Sequence, residues 1–245
     1  MFKKIYTYYA AFVVLFSFLL IYPFFFLFLQ SKKGYTLAHE CNRVWGRVVY
    51  FLCGLPLKVE WRFKPKKGEV YIYCANHTSY SDIPTMYLIT KGDLIFIGKS
   101  SLGKVPLFGY MYKRLHILVD RKSVHSKMET IERAKLAIDS KQSLAFFPEG
   151  TIPKAGNRPA MIPFKDGPFK IAIEKKIKII PVTLINNWKI LQDGLPISAN
   201  RMECKVVVHE PIDTSHLESK DFQMIKDQTF LIITNELKKY HHFES

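Results

Sequence analysis

The twenty residues from Ala10 to Leu29 constrain this chain more than any other stretch. Only Ser17, Tyr22 and Pro23 interrupt their apolar character. As a helix they would reach about 30 Å, the thickness of a bilayer core. A secretory leader fits poorly, because the run is too long and no small-x-small cleavage pattern follows it. A polar turn, Gln30-Ser31-Lys32-Lys33-Gly34, follows instead. Lys3 and Lys4 precede the run, so charge lies at both ends and does not set an orientation. Pro23 permits a kink, and both a full span and a dip into one leaflet stay open. Thr36 to Leu55 reads as a second helix, with Trp45, Val48, Val49, Phe51 and Leu52 apolar and Arg43 and Arg47 turned to lipid headgroups. An ordinary helix packed on the following domain fits the same residues. The expected organisation is a hydrophobic helical anchor over 1–57 and an α/β domain over 58–245.

Beyond the anchor, short apolar runs alternate with helical patterns. Val70 to Ala75, Leu94 to Ile97, His116 to Val119, Ser143 to Phe147, Ile177 to Leu184 and Cys204 to Val208 read as strands. Val59 to Phe63 reads as an edge strand. Ser126 to Ser140 reads as an amphipathic helix with Met128, Ile131, Ala134 and Ile138 on its inner face. Phe222, Ile225, Phe230, Ile233, Leu237 and Tyr240 recur at helical spacing and predict a helix packed on the sheet. The fold class expected is α/β, with a mixed, largely parallel sheet flanked by helices.

The chemistry concentrates in Asn76-His77-Thr78-Ser79-Tyr80-Ser81-Asp82, between a strand and the helical pattern Ile83 to Ile89. An imidazole takes a proton from a hydroxyl near neutral pH, and a carboxylate on its other nitrogen fixes the tautomer. On an ideal helix His77 and Asp82 would lie about 140° apart. Fully extended they would be roughly 16 Å apart. The pair therefore works only if the chain turns sharply, with Asp82 in the first helical turn. Thr78, Ser79 and Ser81 suit such a turn and are expected to cap the helix. A capped turn with an incidental histidine fits these residues too.

Phe147-Pro148-Glu149-Gly150-Thr151 ends another strand and projects polar atoms from it. Gly98 to Gly109 lacks the order of a nucleotide-binding loop and reads as a flexible basic loop with an apolar tip. Arg121 follows a strand and suits bidentate contact with a phosphate monoester. The net charge of +15 calls for a polyanionic partner. Residues 91–125 and 151–178 each hold seven Lys/Arg against two acids. Beside an apolar anchor, that charge points to an anionic phospholipid membrane and a phosphorylated lipid. No zinc-finger spacing or nucleic-acid motif is present. Cys41, Cys53, Cys74 and Cys204 are scattered, which argues against a metal site or disulfide scaffold and fits a reducing compartment. No G-x-S-x-G marks a serine hydrolase.

Taken in order, these blocks resemble the glycerolipid acyltransferases, most closely the 1-acyl-sn-glycerol-3-phosphate (lysophosphatidate) acyltransferases. The blocks are His77 to Asp82, Lys99 to Arg121 with Pro106 and Gly109, Phe147 to Thr151, and Ile179-Ile180-Pro181-Val182, with Phe164-Lys165-Asp166-Gly167 between the last two. The resemblance implies acyl transfer to the sn-2 hydroxyl of a lysophospholipid acceptor, giving phosphatidate. His77 would be the general base and Asp82 its orienting partner. Lys99 and Arg121 would hold the acceptor phosphate, and Glu149, Gly150 and Thr151 would shape its site. Oxyanion donors would come from backbone N–H groups near the start of the His77 helix or from Lys99. The acyl thioester donor, acyl-CoA or acyl carrier protein, is a substrate, and no metal or other cofactor is expected. The catalytic domain would face the cytoplasm. Another lysolipid acceptor and a non-enzymatic anionic-lipid-binding protein are the alternatives.

Overall fold

A computed structural model describes residues 2–192 and 197–243. Helix α1 (Phe2–Phe28) runs through Pro23 without a break, eight residues longer at its N-terminus than the apolar run. After a short 3-10 turn comes α2 (Tyr35–Leu52). The two helices pack on each other, and Trp45 Nε1 donates to Ser17 Oγ at 3.0 Å. The remaining order is β1 (Leu57–Trp61), β2 (Ile72–Ala75), α3 (Asp82–Ile89), β3 (Leu94–Lys99), α4 (Phe108–Leu115), β4 (Ile117–Val119), α5 (Val124–Asp139) and β5 (Ser143–Phe146). It continues with α6 (Gly167–Lys175), β6 (Ile179–Leu184), α7 (Asn187–Ile190), the short antiparallel strands β7 (Leu191–Gln192) and β8 (Ser198–Ala199), β9 (Cys204–Val208) and α8 (Phe222–Tyr240).

Seven strands form the main sheet in the order β1-β9-β6-β2-β5-β3-β4. Every pairing in it is parallel except β6 with β9. Successive side chains of a strand face opposite sides, and the core divides accordingly. Tyr71, Tyr73 and Ala75 face the layer of α2 and α3, with Tyr50, Met86 and Tyr87. Ile72 and Cys74 face the layer of α5, α6 and α8, with Ala134, Phe169, Ile225 and Ile233. The central strands are covered on both faces, which is why they read as continuous apolar runs.

Several expectations need correction. Arg43 does not turn to headgroups. It is buried, donating to the carbonyls of Thr90 and Gly92 and pairing with Glu40, so it clamps α2 to the end of α3. Arg47 remains exposed. Met128 is also exposed, and Ala137 takes the inner position on α5, because the buried stripe is shifted round the helix. Tyr240 is exposed at the end of α8. The stretch from Ser100 to Gly109 is not a loose loop. It forms a 3-10 turn (Ser100–Lys104) and the start of α4, and a Cβ on Gly109 would meet the Gly103 carbonyl oxygen at 2.5 Å.

Between α2, α3 and β4 lies a buried polar cluster. The Phe96 N–H donates to His116 Nδ1, which leaves His116 Nε2 to donate to the Tyr87 hydroxyl at 3.2 Å. That hydroxyl lies 3.1 Å from His39 Nδ1. Burial lowers the basicity of both rings, with His39 falling from 6.5 to about 4.

Candidate active site

Parallel order and strand sequence gather the polar blocks at one edge. The carboxyl ends of β2, β5, β3 and β4 are successive neighbours, and they carry His77, Glu149, Lys99 and Arg121 respectively. Such an edge is the usual ligand site of an open α/β sheet. Lys99 pairs in register with Val119, two residues before Arg121, and both basic side chains are exposed.

The turn after β2 brings His77 and Asp82 together. Asp82 is the first residue of α3, and His77 Nδ1 lies 2.9 Å from its Oδ2. The carboxylate accepts, so Nδ1 carries the proton and Nε2 is the basic nitrogen. Oδ2 also accepts from the Thr78 N–H at 2.7 Å and the Ser79 N–H at 2.9 Å. Thus the aspartate, not a serine or threonine, caps the turn. Ser81 occupies the cap position and makes no side-chain cap bond, while Ser79 Oγ accepts from the Ser81 N–H. His77 keeps 17% of its side chain exposed and Asp82 none, so the base is accessible while its partner is dry. The Phe147 ring stacks on the imidazole with centroids 4.2 Å apart, fixing its plane.

Glu149, expected to shape the acceptor site, is buried. Its Oε1 accepts from the His77 N–H at 2.7 Å and its Oε2 from the Ile162 N–H at 3.0 Å. Burial raises its carboxyl from 4.5 to about 7, against the pull of those two N–H groups. Gly150 has φ +72°, the left-handed region open to glycine, and Thr151 is exposed just beyond it. The Lys165 N–H donates to the Pro148 carbonyl at 2.8 Å, tying the Phe164–Gly167 segment over this turn. The backbone N–H groups of His77, Thr78, Ser79 and Ser81 are each bonded within the turn or to Glu149, so these four are not free to meet an oxyanion.

Two asparagines went unassigned in the sequence. Asn76 closes a pair of bonds with the Leu184 backbone, fixing β2 to β6 just before the histidine. Asn187, at the start of α7, donates to Asp82 Oδ1 at 2.8 Å. Polar residues directly after an apolar strand were the available signal, but their partners are more than 100 positions away.

Residues 58–185, just over half of the chain, match the family model Acyltransferase. The chain belongs to the acyltransferase family. Among acyltransferases it is 29% identical over 149 residues to the chloroplast 1-acyl-sn-glycerol-3-phosphate acyltransferase of Brassica napus, covering 60% of this chain and 42% of that protein. It is 34% identical over 167 residues to the 1-acyl-sn-glycerol-3-phosphate acyltransferase of Escherichia coli, covering 65% of this chain and 64% of the other. The chain spans 42–48% of the length of the first three curated relatives it matches. Its fold is that of the 1-acyl-sn-glycerophosphate acyltransferase of Thermotoga maritima, with a TM-score of 0.79 at 18% identity and 99% of each chain covered.

Proposed function

We propose that this acyltransferase moves an acyl chain from a thioester, acyl-CoA or acyl carrier protein, to the sn-2 hydroxyl of lysophosphatidate at a membrane surface. The observation that carries the reading is the His77–Asp82 bond at the same sheet edge as Lys99 and Arg121. His77 Nε2 takes the hydroxyl proton as the oxygen attacks the thioester carbonyl, and Asp82 stabilises the imidazolium. The tetrahedral intermediate collapses with cleavage of the C–S bond, and the thiolate leaves with the imidazolium proton. β2 and β4 are three strand spacings apart, roughly 14 Å. An arginine extended from β4 covers part of that gap, and the glycerol phosphate covers the rest. Arg121 and Lys99 therefore hold the phosphate, while Gly150 and Thr151 line the acceptor's path. Glu149 serves the site through the His77 backbone. Lys99 is the side chain of this edge that can also donate to the oxyanion.

The anchor supports the membrane setting. Among the described residues, one helix, Phe2–Phe28, is long and apolar enough to cross a bilayer. Val13, Phe18 and Phe25 pack inward, whereas Phe12, Phe16, Leu20, Phe24 and Leu27 are exposed, as are Val44, Val48 and Phe51 of α2. So much uncovered apolar surface suits lipid contact. The four free thiols suit a domain facing the cytoplasm.

The test is purified protein in detergent, a thioester donor, and a panel of acceptors, with free thiol and acylated lipid measured. Lysophosphatidate should drive thiol release and yield phosphatidate, while monoacylglycerol should not. Equal use of monoacylglycerol would overturn the phosphate role, and thiol release without any acceptor would overturn transfer.

A further inference from the structure

The structure assigns Asn187 as the residue that positions Asp82 and so sets the strength of the His77 base. This rests on the acyl-transfer reading above. Asp82 is fully buried, and three donors converge on its Oδ2: His77 Nδ1 and the N–H groups of Thr78 and Ser79. Its Oδ1 receives Asn187 Nδ2 at 2.8 Å. Asn187 is itself fully buried. Without this bond a buried carboxylate oxygen would lose its side-chain donor.

The amide orientation is determined by its surroundings. Cys204 Sγ lies 3.1 Å from Asn187 Oδ1, where a thiol donates to a carbonyl. On the other side Asn187 Nδ2 faces two acceptors, Asp82 Oδ1 and, at 3.0 Å, Thr85 Oγ1. Thr85 spends its own proton on the Ser81 carbonyl at 2.7 Å, so its oxygen can only accept from Asn187. Tyr50 of α2 reaches the same hydroxyl at 2.5 Å. A buried hydrogen-bonded chain thus runs from α2 through Thr85 and Asn187 to Asp82 and His77. It joins the N-terminal helix pair to the base through side chains alone.

The chain has a defined chemical consequence. The Asn187 N–H favours the ionised carboxylate and draws charge toward Oδ1. Removing it concentrates negative charge near Nδ1, on the side of the carboxylate that holds the imidazole. The titratable groups facing His77 are Asp82 on Nδ1 and the Glu149 carboxyl on its N–H, so a change at Oδ1 reaches the base through Asp82.

The experiment is thiol release by the full chain carrying Asn187→Leu, a substitution that keeps the branched shape and removes the donor. We expect kcat to fall about 10- to 100-fold with little change in either KM. The acid limb of kcat/KM should move up by about half to one pH unit. Cys204→Ala, which only frees the amide to turn, should show the same direction with a smaller loss. A folded Asn187→Leu protein with wild-type kcat and an unmoved limb overturns the assignment. If that variant fails to fold, Asn187→Ser, too short to reach Oδ1, gives the same two readouts. Activity that survives in His77→Ala would instead sink the acyl-transfer reading, so the two failures are distinct.

Discussion

Two histidine sites lie on the same side of this sheet and differ in what holds the ring. His77 has a carboxylate on Nδ1, three further donors steadying that carboxylate, and an accessible edge. His116 and His39 share a tyrosine hydroxyl, lie in the interior, and among the described residues have no carboxylate bonded to either ring. Burial therefore drives His39 and His116 neutral. Of these three rings, His77 is the one whose cation meets a hydrogen-bonded carboxylate among the described residues, and the turn after β2 supplies it.

The comparison breaks first if His77 is dispensable. His77→Ala should cut kcat about a thousandfold with the thermal transition retained, as removal of a general base does. Asp82→Asn should cost about a hundredfold, because the ring loses both its tautomer and its counter-charge. Both are read by thiol release alongside thermal melts. Arg121→Ala should raise the KM for lysophosphatidate about tenfold and leave that for the thioester nearly unchanged. An equal rise in both would remove the phosphate from this edge.

Glu149→Gln sharpens the comparison through stability. An amide must turn an NH2 toward either the His77 or the Ile162 N–H, at a cost of about 1–3 kcal/mol. The wild-type carboxyl is raised from 4.5 to about 7, so between those values the folded state holds a proton that the unfolded chain has lost. That residue makes stability fall as pH rises through the window and level off above it. Melts from pH 4.5 to 8 should show the slope in wild type and its loss in the variant. His39→Phe should have the smallest effect on turnover, within a factor of about three. Its signature is again in melts, with the opposite sign. His39 is lowered from 6.5 to about 4, so wild-type stability is lost as pH falls through that range, and the variant should lose less.

The layers of the fold were legible because burial on two faces writes itself into composition. Ile179 to Leu184 is apolar but for Thr183 and buried throughout, and it is a central strand. Arg43 and Met128 misled for one reason: helical spacing marks a face but not its partner, and the carbonyls of Thr90 and Gly92 are far away in the chain. At the site, His77 and Asp82 were readable because five positions and a turn suffice to join them. Asn187 was not, since β6 must first pair with β2 to bring it to Asp82. Glu149 was readable as a polar strand end, but its two backbone partners depend on the chain folding back at Ile162.

The most direct measurement is a double-mutant cycle on the pair. If His77 and Asp82 act as one unit, the protein carrying both His77→Ala and Asp82→Asn should turn over no more slowly than His77→Ala alone. Losses that multiply, so that the double variant is about a hundredfold slower than His77→Ala, would show two independent contributions and contradict the account.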